Sequence, residues 1–591
     1  QKVGVGGALS AAYGIIFERT VSVRYDLDGV QQLMNGCFHS DGFCMESTSY
    51  SSMHLSMMRD IPEILRGYSG PIGFQPTDGR RIENFDPFVD LDRYRLALES
   101  MVRMLAPERQ VPVIGDTHYR SGLSAMWAEI LADRYGDQYA ALLEASLGKK
   151  LADAGGEYAL WYRDPDMKAE AEATLPLRSE WFPGWHVGVL RAGDPGGGTA
   201  FYLNGYAMHG HRHYDTLGAN YYAGGKELMS DRGYIWDDPR NAWTKSTLAH
   251  NIVTVDGRNQ NTPNHANLEL FAVNSAVEVV QASADVYSQC DRYQRTSALV
   301  QVDGDQGYVI DIFRVRGGGQ HRYGFNGDGR LVNMTVAATE PVGESIQWLE
   351  NLRCATPTEP FTATWSVQDM RIDLMLLNPI DRLLVADAPG WRSDRGSELN
   401  SPPIHQIFAE RTGTNGECTS QYVAAIVPYS GIESPVKSVR LLQDDVQNGT
   451  VVVEVKMADR TDFVVSSPGD EPCDVQGLRV RGQFALVSRD SRGVVQQAYL
   501  LAGTLLQCDD VELSLDSATV RLKVDSIEGR TARFAADLPI GLAIPGRYLL
   551  GGGTGYEIES ATPRTITVRD YPSCHWDGRT GLRDVSLVRA K

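Results

Sequence analysis

The stretch HGHRHYD, residues 209–215, places His209, His211, His213 and Asp215 at alternate positions in a chain with only 12 histidines. On an extended strand, alternate residues share a face. Imidazole and carboxylate are both good zinc ligands, and a zinc site needs three or four of them. Asp231 in LMSDRGY and His250 in LAHNIVTVDG supply further candidates downstream. The competing reading is a polar strand whose histidines are partly exposed. The two downstream partners favour the metal.

A second candidate group lies in HSDGFCMESTSYSSMHL, residues 39–55. Here Ser47, Thr48 and Ser49 offer N-cap side chains before an apolar stripe, which puts Tyr50 in the first turn of a helix. Tyr50 then either packs in that stripe against Met53 and Met57 or faces a groove. The loop VPVIGDTHYRSG, residues 111–122, adds His118, Tyr119 and Arg120. A guanidinium such as Arg120 pairs well with an acidic group.

These residues need elements to hold them. Helical periodicity is clearest in the first ~170 residues. Tyr50, Met53/His54, Met57/Met58 and Ile61 make one stripe, stopped or kinked at Pro62. Leu91, Tyr94, Leu98, Met101/Val102 and Leu105 make another. Leu123, Met126/Trp127, Ile130/Leu131 and Tyr135 make a third, followed by Tyr139, Leu142/Leu143 and Leu147. From Trp181 the period falls to two, as in TAFYLNGYAMHGH, HNIVTVDG and GYVIDIFRV, and strand-like segments continue to the end. Residues 163–180, charged and carrying Pro165 and Pro176, read as a linker, and a weaker boundary falls near residues 431–437. The expected organisation is helices over 1–170, antiparallel β-structure with the metal site over 171–435, and a β domain over 436–591.

Composition narrows the function classes. Hydrophobic residues make up 42% and charged residues 22% of 591, and no run approaches the ~18 apolar residues of a membrane span. The net charge of −19 and the lack of a Lys/Arg run argue against a nucleic-acid partner. That charge would also repel an acidic substrate, which would need a local basic patch. The eight cysteines are scattered with no CxxC pair, which disfavours a zinc ribbon and leaves thiols and disulfides both open. The glycine-rich LLGGGTGYE near Gly551 reads as a turn rather than a phosphate loop. WDD, residues 236–238, reads as a polar loop rather than a calcium site.

The order HGHRHYD, YYAGGKELMSDRGY, STLAHNIVTVDGRNQ resembles the β domain of the heparinase II/III-like polysaccharide lyases, a superfamily that includes alginate and chondroitin lyases and dermatan sulfate epimerases. YVIDIFRVRGGGQHRYGFNG is similar to a strand pair of that family, and the resemblance runs over roughly residues 41–326. It implies a fold of α+β type, with an incomplete N-terminal α/α toroid followed by antiparallel β-sandwich domains. It also implies a zinc held by His213, Asp231 and His250, with His211 facing substrate and Tyr234 as a second active-site tyrosine. HSDGFCMESTSY resembles the family loop that enters the tyrosine helix, with Asp41, Gly42, Glu46 and Tyr50 in its places. By that resemblance Tyr50 and His211 are catalytic, and Glu46, Arg120 and His209 contact substrate.

The chemistry so implied is β-elimination on an acidic polysaccharide containing O4-linked uronate. The C5 proton is weakly acidic until the neighbouring carboxylate is neutralised and the resulting anion is stabilised. A tyrosine, which ordinarily titrates near ~10, needs a donor or cation beside it to act as base at neutral pH. Two departures stand out. The family's Asn/His neutraliser lies upstream of the tyrosine loop, yet only 49 residues precede Tyr50, and Asn35 and His39 sit too close to it. A longer natural chain is the expected reason. Asn326 also stands where many relatives carry a histidine. A uronate C5-epimerase uses the same proton abstraction, and a non-catalytic glycan-binding protein with a structural metal is a rival of another class. A two-carboxylate glycoside hydrolase has no motif to single out its acids. A polymer too large to import implies a secreted or periplasmic location.

Overall fold

The computed structural model describes residues 20–21, 26–27, 34, 37–39, 41–73, 82–169, 177–193, 198–206, 210–229, 231–261, 265–392, 401–469, 471–539, 541–570, 572 and 584–591. The chain forms two compact units. The first comprises Gln1–Leu105, Ser121–Leu177 and His209–His211, and the second Ala106–Arg120, Arg178–Met208 and Arg212–Lys591. Among the described residues, no helix is long and apolar enough to cross a membrane.

Helices dominate the first unit. The main ones are α1 (Thr48–Met58), α2 (Asp92–Arg103), α3 (Ala125–Tyr135) and α4 (Ala140–Leu147). The stripes expected for α2, α3 and α4 form its core: Tyr94, Leu98, Met101, Trp127, Ile130, Leu131, Leu142 and Leu143 are buried. Burying one Leu- or Ile-sized side chain stabilises by about 1.5–3 kcal/mol.

The expectation for α1 needs correction. Its buried face is Thr48, Ser51, Leu55 and Met58, while Met53 and Met57 are 40% and 69% exposed. The indole of Trp127 needs an acceptor when buried, and its Nε1 donates to Ser52 Oγ at 3.2 Å. The small serine side thus turns inward and the methionines outward. Ser47 is the N-cap as expected, but its side chain makes no capping hydrogen bond. α1 ends at Met58, and Pro62 opens the next short helix, Ile61–Leu65.

The second unit is built of antiparallel sheets. Five strands, β1 (Glu180–Phe182), β2 (Val187–Ala192), β3 (Thr199–Asn204), β4 (Gly218–Ala223) and β5 (Lys226–Met229), pair in chain order. A six-stranded sheet ends on β6 (Val253–Val255) beside Gln320–Asn326, and an eight-stranded sheet has Gln306–Gly317 and Thr419–Ser430 near its centre. These three sheets share one apolar core, which includes Trp181, Phe201, Tyr221, Val253, Phe313 and Trp365. A seven-stranded sheet follows from Ser438, and a closed six-stranded barrel from Thr519. The glycine-rich stretch near Gly551 is a hairpin turn between Tyr548–Gly551 and Thr554–Thr562.

Two sequence expectations fail here. Residues 210–215 do not form a strand: β3 ends at Asn204, β4 begins at Gly218, and the described residues between them are irregular. His211 has φ +54, which a strand does not allow. The two strands of YVIDIFRVRGGGQHRYGFN do form, but they lie in different sheets. Gly317 and Gly318, both at positive φ, turn the chain from one sheet to the other.

Candidate active site and metal centre

In the first unit, a glycine sets the tyrosine loop. Gly42 has φ +89, and a Cβ there would lie 2.2 Å from the Leu96 carbonyl carbon on α2. Ser100 Oγ also donates to Gly42 O at 3.3 Å. The DG turn is thereby pressed onto α2, and residues 43–47 lead from it into α1. Tyr50, in the first turn, is half-buried, and its ring stacks on His211 with centroids 3.6 Å apart and planes 20° apart. Glu46 is close by: its Oε2 is 4.0 Å from His54 Nδ1, and a Cβ on Gly210 would lie 3.3 Å from its Oε1. Tyr50, Glu46 and His211 therefore gather in one place.

His209 and Asn35 lie outside the described residues. His39 is buried in the turn, its N–H donating to Phe43 O at 2.6 Å.

In the second unit, the structure brings His213, Asp231 and His250 together, all buried. His213 Nδ1 is 3.0 Å from Asp231 Oδ2 and 3.2 Å from His250 Nε2, and His250 Nε2 is 3.3 Å from the same oxygen. Outer partners hold the far nitrogen of each imidazole. His250 Nδ1 donates to Ser246 O at 2.7 Å, which leaves Nε2 bare. His213 Nε2 lies 3.2 Å from Asp116 Oδ1, so an imidazole that keeps one proton on this side presents Nδ1 as a lone pair to a metal. Asp231 Oδ1 accepts from Gly233 N at 2.7 Å, while Oδ2 is buried and accepts no hydrogen bond. Two lone pairs and an orphaned carboxylate oxygen thus converge, with edges close to those of a tetrahedron whose bonds are ~2.0–2.1 Å. This donor set fits zinc.

The electrostatics agree. Burial alone would lower the His213 pKa, but Asp231, Asp116 and Asp215 outweigh it and hold the imidazole up to about 10. Burial opposes ionisation of Asp231, yet the two histidines drive its pKa far below the usual carboxylate range. Asp116, against the same burial, is held at about 2 by His213 and Lys245, whose Nζ is 2.9 Å from its other oxygen. The pocket therefore demands positive charge, whether a proton or a metal supplies it. Asp215 faces the cluster with its Oδ2 3.8 Å from His250 Nε2, and its other oxygen accepts from Tyr206.

Asp116, Lys245, Tyr206 and Ser246 were not legible as site residues. Asp116 lies 97 residues from His213 in sequence. Asn326, where a histidine ligand was in question, braces the site instead: its N–H donates to Asn251 Oδ1 at 2.8 Å and its Nδ2 to Ala249 O at 3.3 Å, on either side of His250.

Tyr234 lies beside this cluster. Its N–H donates to Thr117 O at 3.1 Å and its hydroxyl to Asp237 Oδ1 at 3.3 Å. His118 and the half-exposed Trp236 flank its ring at 5.4 and 6.2 Å. Gly233, at φ +70, admits Thr117 O within 2.4 Å of where a Cβ would stand. In the WDD loop, Asp238 is taken by Arg240, whose Nε is 2.9 Å away. Arg120 is exposed, 4.9 Å over the ring of Tyr119. Cys44, Cys290, Cys354, Cys418, Cys473 and Cys508 carry free thiols.

Comparison with known proteins points one way. A mutant of the heparan sulfate lyase HepC from Pedobacter heparinus is similar in fold, with a TM-score of 0.50 and 14% identity, over 73% of this chain and 60% of that one. A heparinase III, the BT4657 gene product, gives 0.50 and 16% over 72% and 58%. The chain thus spans about three fifths of the length of these structures. No curated protein matches in sequence. The sequence profile of the Heparinase II/III-like, C-terminal domain family matches residues 174–371, and this segment, which carries His213, Asp231 and His250, is thereby similar to that family.

Proposed function

We propose that this protein is a polysaccharide lyase that cleaves an acidic, uronate-containing polysaccharide by β-elimination. Tyr50 and His211 work as the acid–base pair. The observation that carries this reading is the stacking of the Tyr50 ring on the His211 imidazole at 3.6 Å. A phenol must lose its proton to act as base, and an imidazole beside it can relay or hold that proton. The tyrosine takes the C5 proton of the uronate, the C4–O bond breaks, a C4=C5 double bond forms, and the departing O4 takes a proton. Glu46, beside the pair, orients sugar hydroxyls, and Tyr234 serves as a second active-site tyrosine.

His213, Asp231 and His250 hold a zinc ion, which when bound cross-links three segments of the β-structure. Asp116 and Ser246 orient the two imidazoles for it. The helices of the first unit are part of an α/α toroid, and the protein acts outside the cytoplasm, where a polymer can reach it.

The test is ultraviolet absorbance during incubation with alginate, chondroitin, dermatan, heparan and ulvan-type polysaccharides. A rise, abolished in Tyr50→Phe, is the expected outcome. Absorbance that stays flat while deuterium enters C5 from solvent would replace the lyase with an epimerase.

A further inference from the structure

The second unit contains a cavity of about 760 Å³, lined in part by Arg120, to which the family resemblance gives a substrate contact. Among the described residues, four arginines line it, Arg120, Arg232, Arg330 and Arg392, against one carboxylate, Asp328. In a chain of net charge −19 such a concentration runs against the overall field.

The arginines divide into two pairs. Arg232 and Arg392 form a buried floor that is already neutralised. Arg232 Nη2 is 2.9 Å from Asp328 Oδ1, and Arg392 Nη1 is 3.1 Å from Asp328 Oδ2 and 2.8 Å from Glu227 Oε2. Arg392 also donates to the Asp231 carbonyl at 3.0 Å, which ties this floor to the segment bearing the metal-type carboxylate. Arg120 and Arg330 are exposed, and no described carboxylate lies within ion-pair distance of either. Tyr119 spaces the two layers, with Arg392 4.2 Å and Arg120 4.9 Å from its ring. Among the described residues, four guanidiniums against Asp328 and Glu227 leave two positive charges at the cavity.

We infer that this cavity is an anion-recognising sugar subsite, in which Arg120 and Arg330 take a sulfate or carboxylate group of a saccharide and Pro402 and Pro403 receive the apolar face of the ring. Its volume falls in the range of small-molecule sites, ~300–1,000 Å³, and far exceeds the need of an inorganic anion. Planar guanidiniums suit the forked oxygens of either group. The sugar identity rests on the function proposed above, whereas the anion preference rests on the arginines.

The probe is a sulfated disaccharide whose uronate is the non-reducing sugar. It has no sugar on O4, so β-elimination cannot cleave it. Its binding to the full chain is measured by calorimetry beside inorganic sulfate and a neutral disaccharide. The expected result is binding of the acidic disaccharide alone in the millimolar range or tighter. Arg120→Ala and Arg330→Ala should each weaken it about fivefold or more, and added salt should weaken it further. Both side chains are exposed, and unchanged thermal midpoints confirm folding. Equal binding by wild type and both variants overturns the subsite. Inorganic sulfate binding as tightly as the disaccharide also overturns it, in favour of a free-anion site. Disaccharide binding without cleavage of any polysaccharide leaves the subsite standing and removes the lyase. Cleavage with unaltered disaccharide binding in the variants does the reverse.

Discussion

The Tyr50–His211 pair and the His213–Asp231–His250 cluster use the same residue chemistry in opposite settings. The pair in the first unit is half-buried and held by ring stacking, while the cluster in the second is buried, with the far nitrogen of each imidazole held by an outer partner. A half-buried pair can exchange protons with a substrate. A buried cluster with bare nitrogens and an orphaned oxygen is arranged to keep a cation in place. On the proposed function, burial and the outer hydrogen bonds, more than residue type, separate a reacting histidine from a binding one.

The largest expected effect would break this comparison on its catalytic side. Tyr50→Phe should lower turnover ~10²–10⁴-fold, the range of a lost acid–base group, with little change in thermal midpoint. If absorbance assays show near-normal turnover, Tyr50 is not the acid–base residue. On the binding side, Asp231→Asn should destabilise the fold by ~3–5 kcal/mol, since it removes one member of a buried charged cluster. Denaturant midpoints read this, and elemental analysis should show zinc lost in step. Chelation of the wild type should lower its thermal midpoint, with recovery on adding zinc. A metal-free protein with an unaltered midpoint would reduce the cluster to a protonated ion network.

Gly42→Ala probes the first unit in the same terms. The left-handed φ and the overlap with α2 should cost ~1–3 kcal/mol and reduce turnover by displacing Tyr50. Protease susceptibility and kcat report the two effects separately.

Glu278 sharpens the contrast from within the second unit. It is buried like Asp231, but among the described residues its polar partners are Ser179 and Arg191 rather than histidines. Burial pushes its carboxyl up to about 7, despite hydrogen bonds from Ser179 and the Arg191 N–H. The folded state therefore binds a proton that the unfolded chain releases near its ordinary value of 4.5. Stability should fall as pH rises from about 4.5 to about 7 and level off above. Glu278→Gln should flatten that slope, with a gain of at most ~3 kcal/mol at pH 8, measurable as a shift in denaturant midpoint.

Much of the helical unit was legible because its apolar periodicity is strong. Tyr94, Leu98, Trp127 and Leu131 go to the core as their spacing requires. The face of α1 was not, because serine carries little hydrophobic signal and the demand of Trp127 for a partner came from another helix. The convergence of His213, Asp231 and His250 was legible from motif order, although the strand with alternating faces expected for HGHRHYD does not form over its described residues. A loop let His211 and His213 turn to different surroundings, which period-two spacing would have forbidden.

The sequence by itself determined which residue types were available, the apolar stripes of α2 to α4, the run of strands after Trp181 and the order of the histidine motifs. These depend on local spacing, which is written along the chain. Only the tertiary structure decided that Asp116 and Ser246 hold the far nitrogens of the two imidazoles, that Asp231 keeps one oxygen free, and that four arginines distant in sequence share a cavity. Such facts depend on burial and on contacts between segments up to hundreds of residues apart, and no local pattern encodes them.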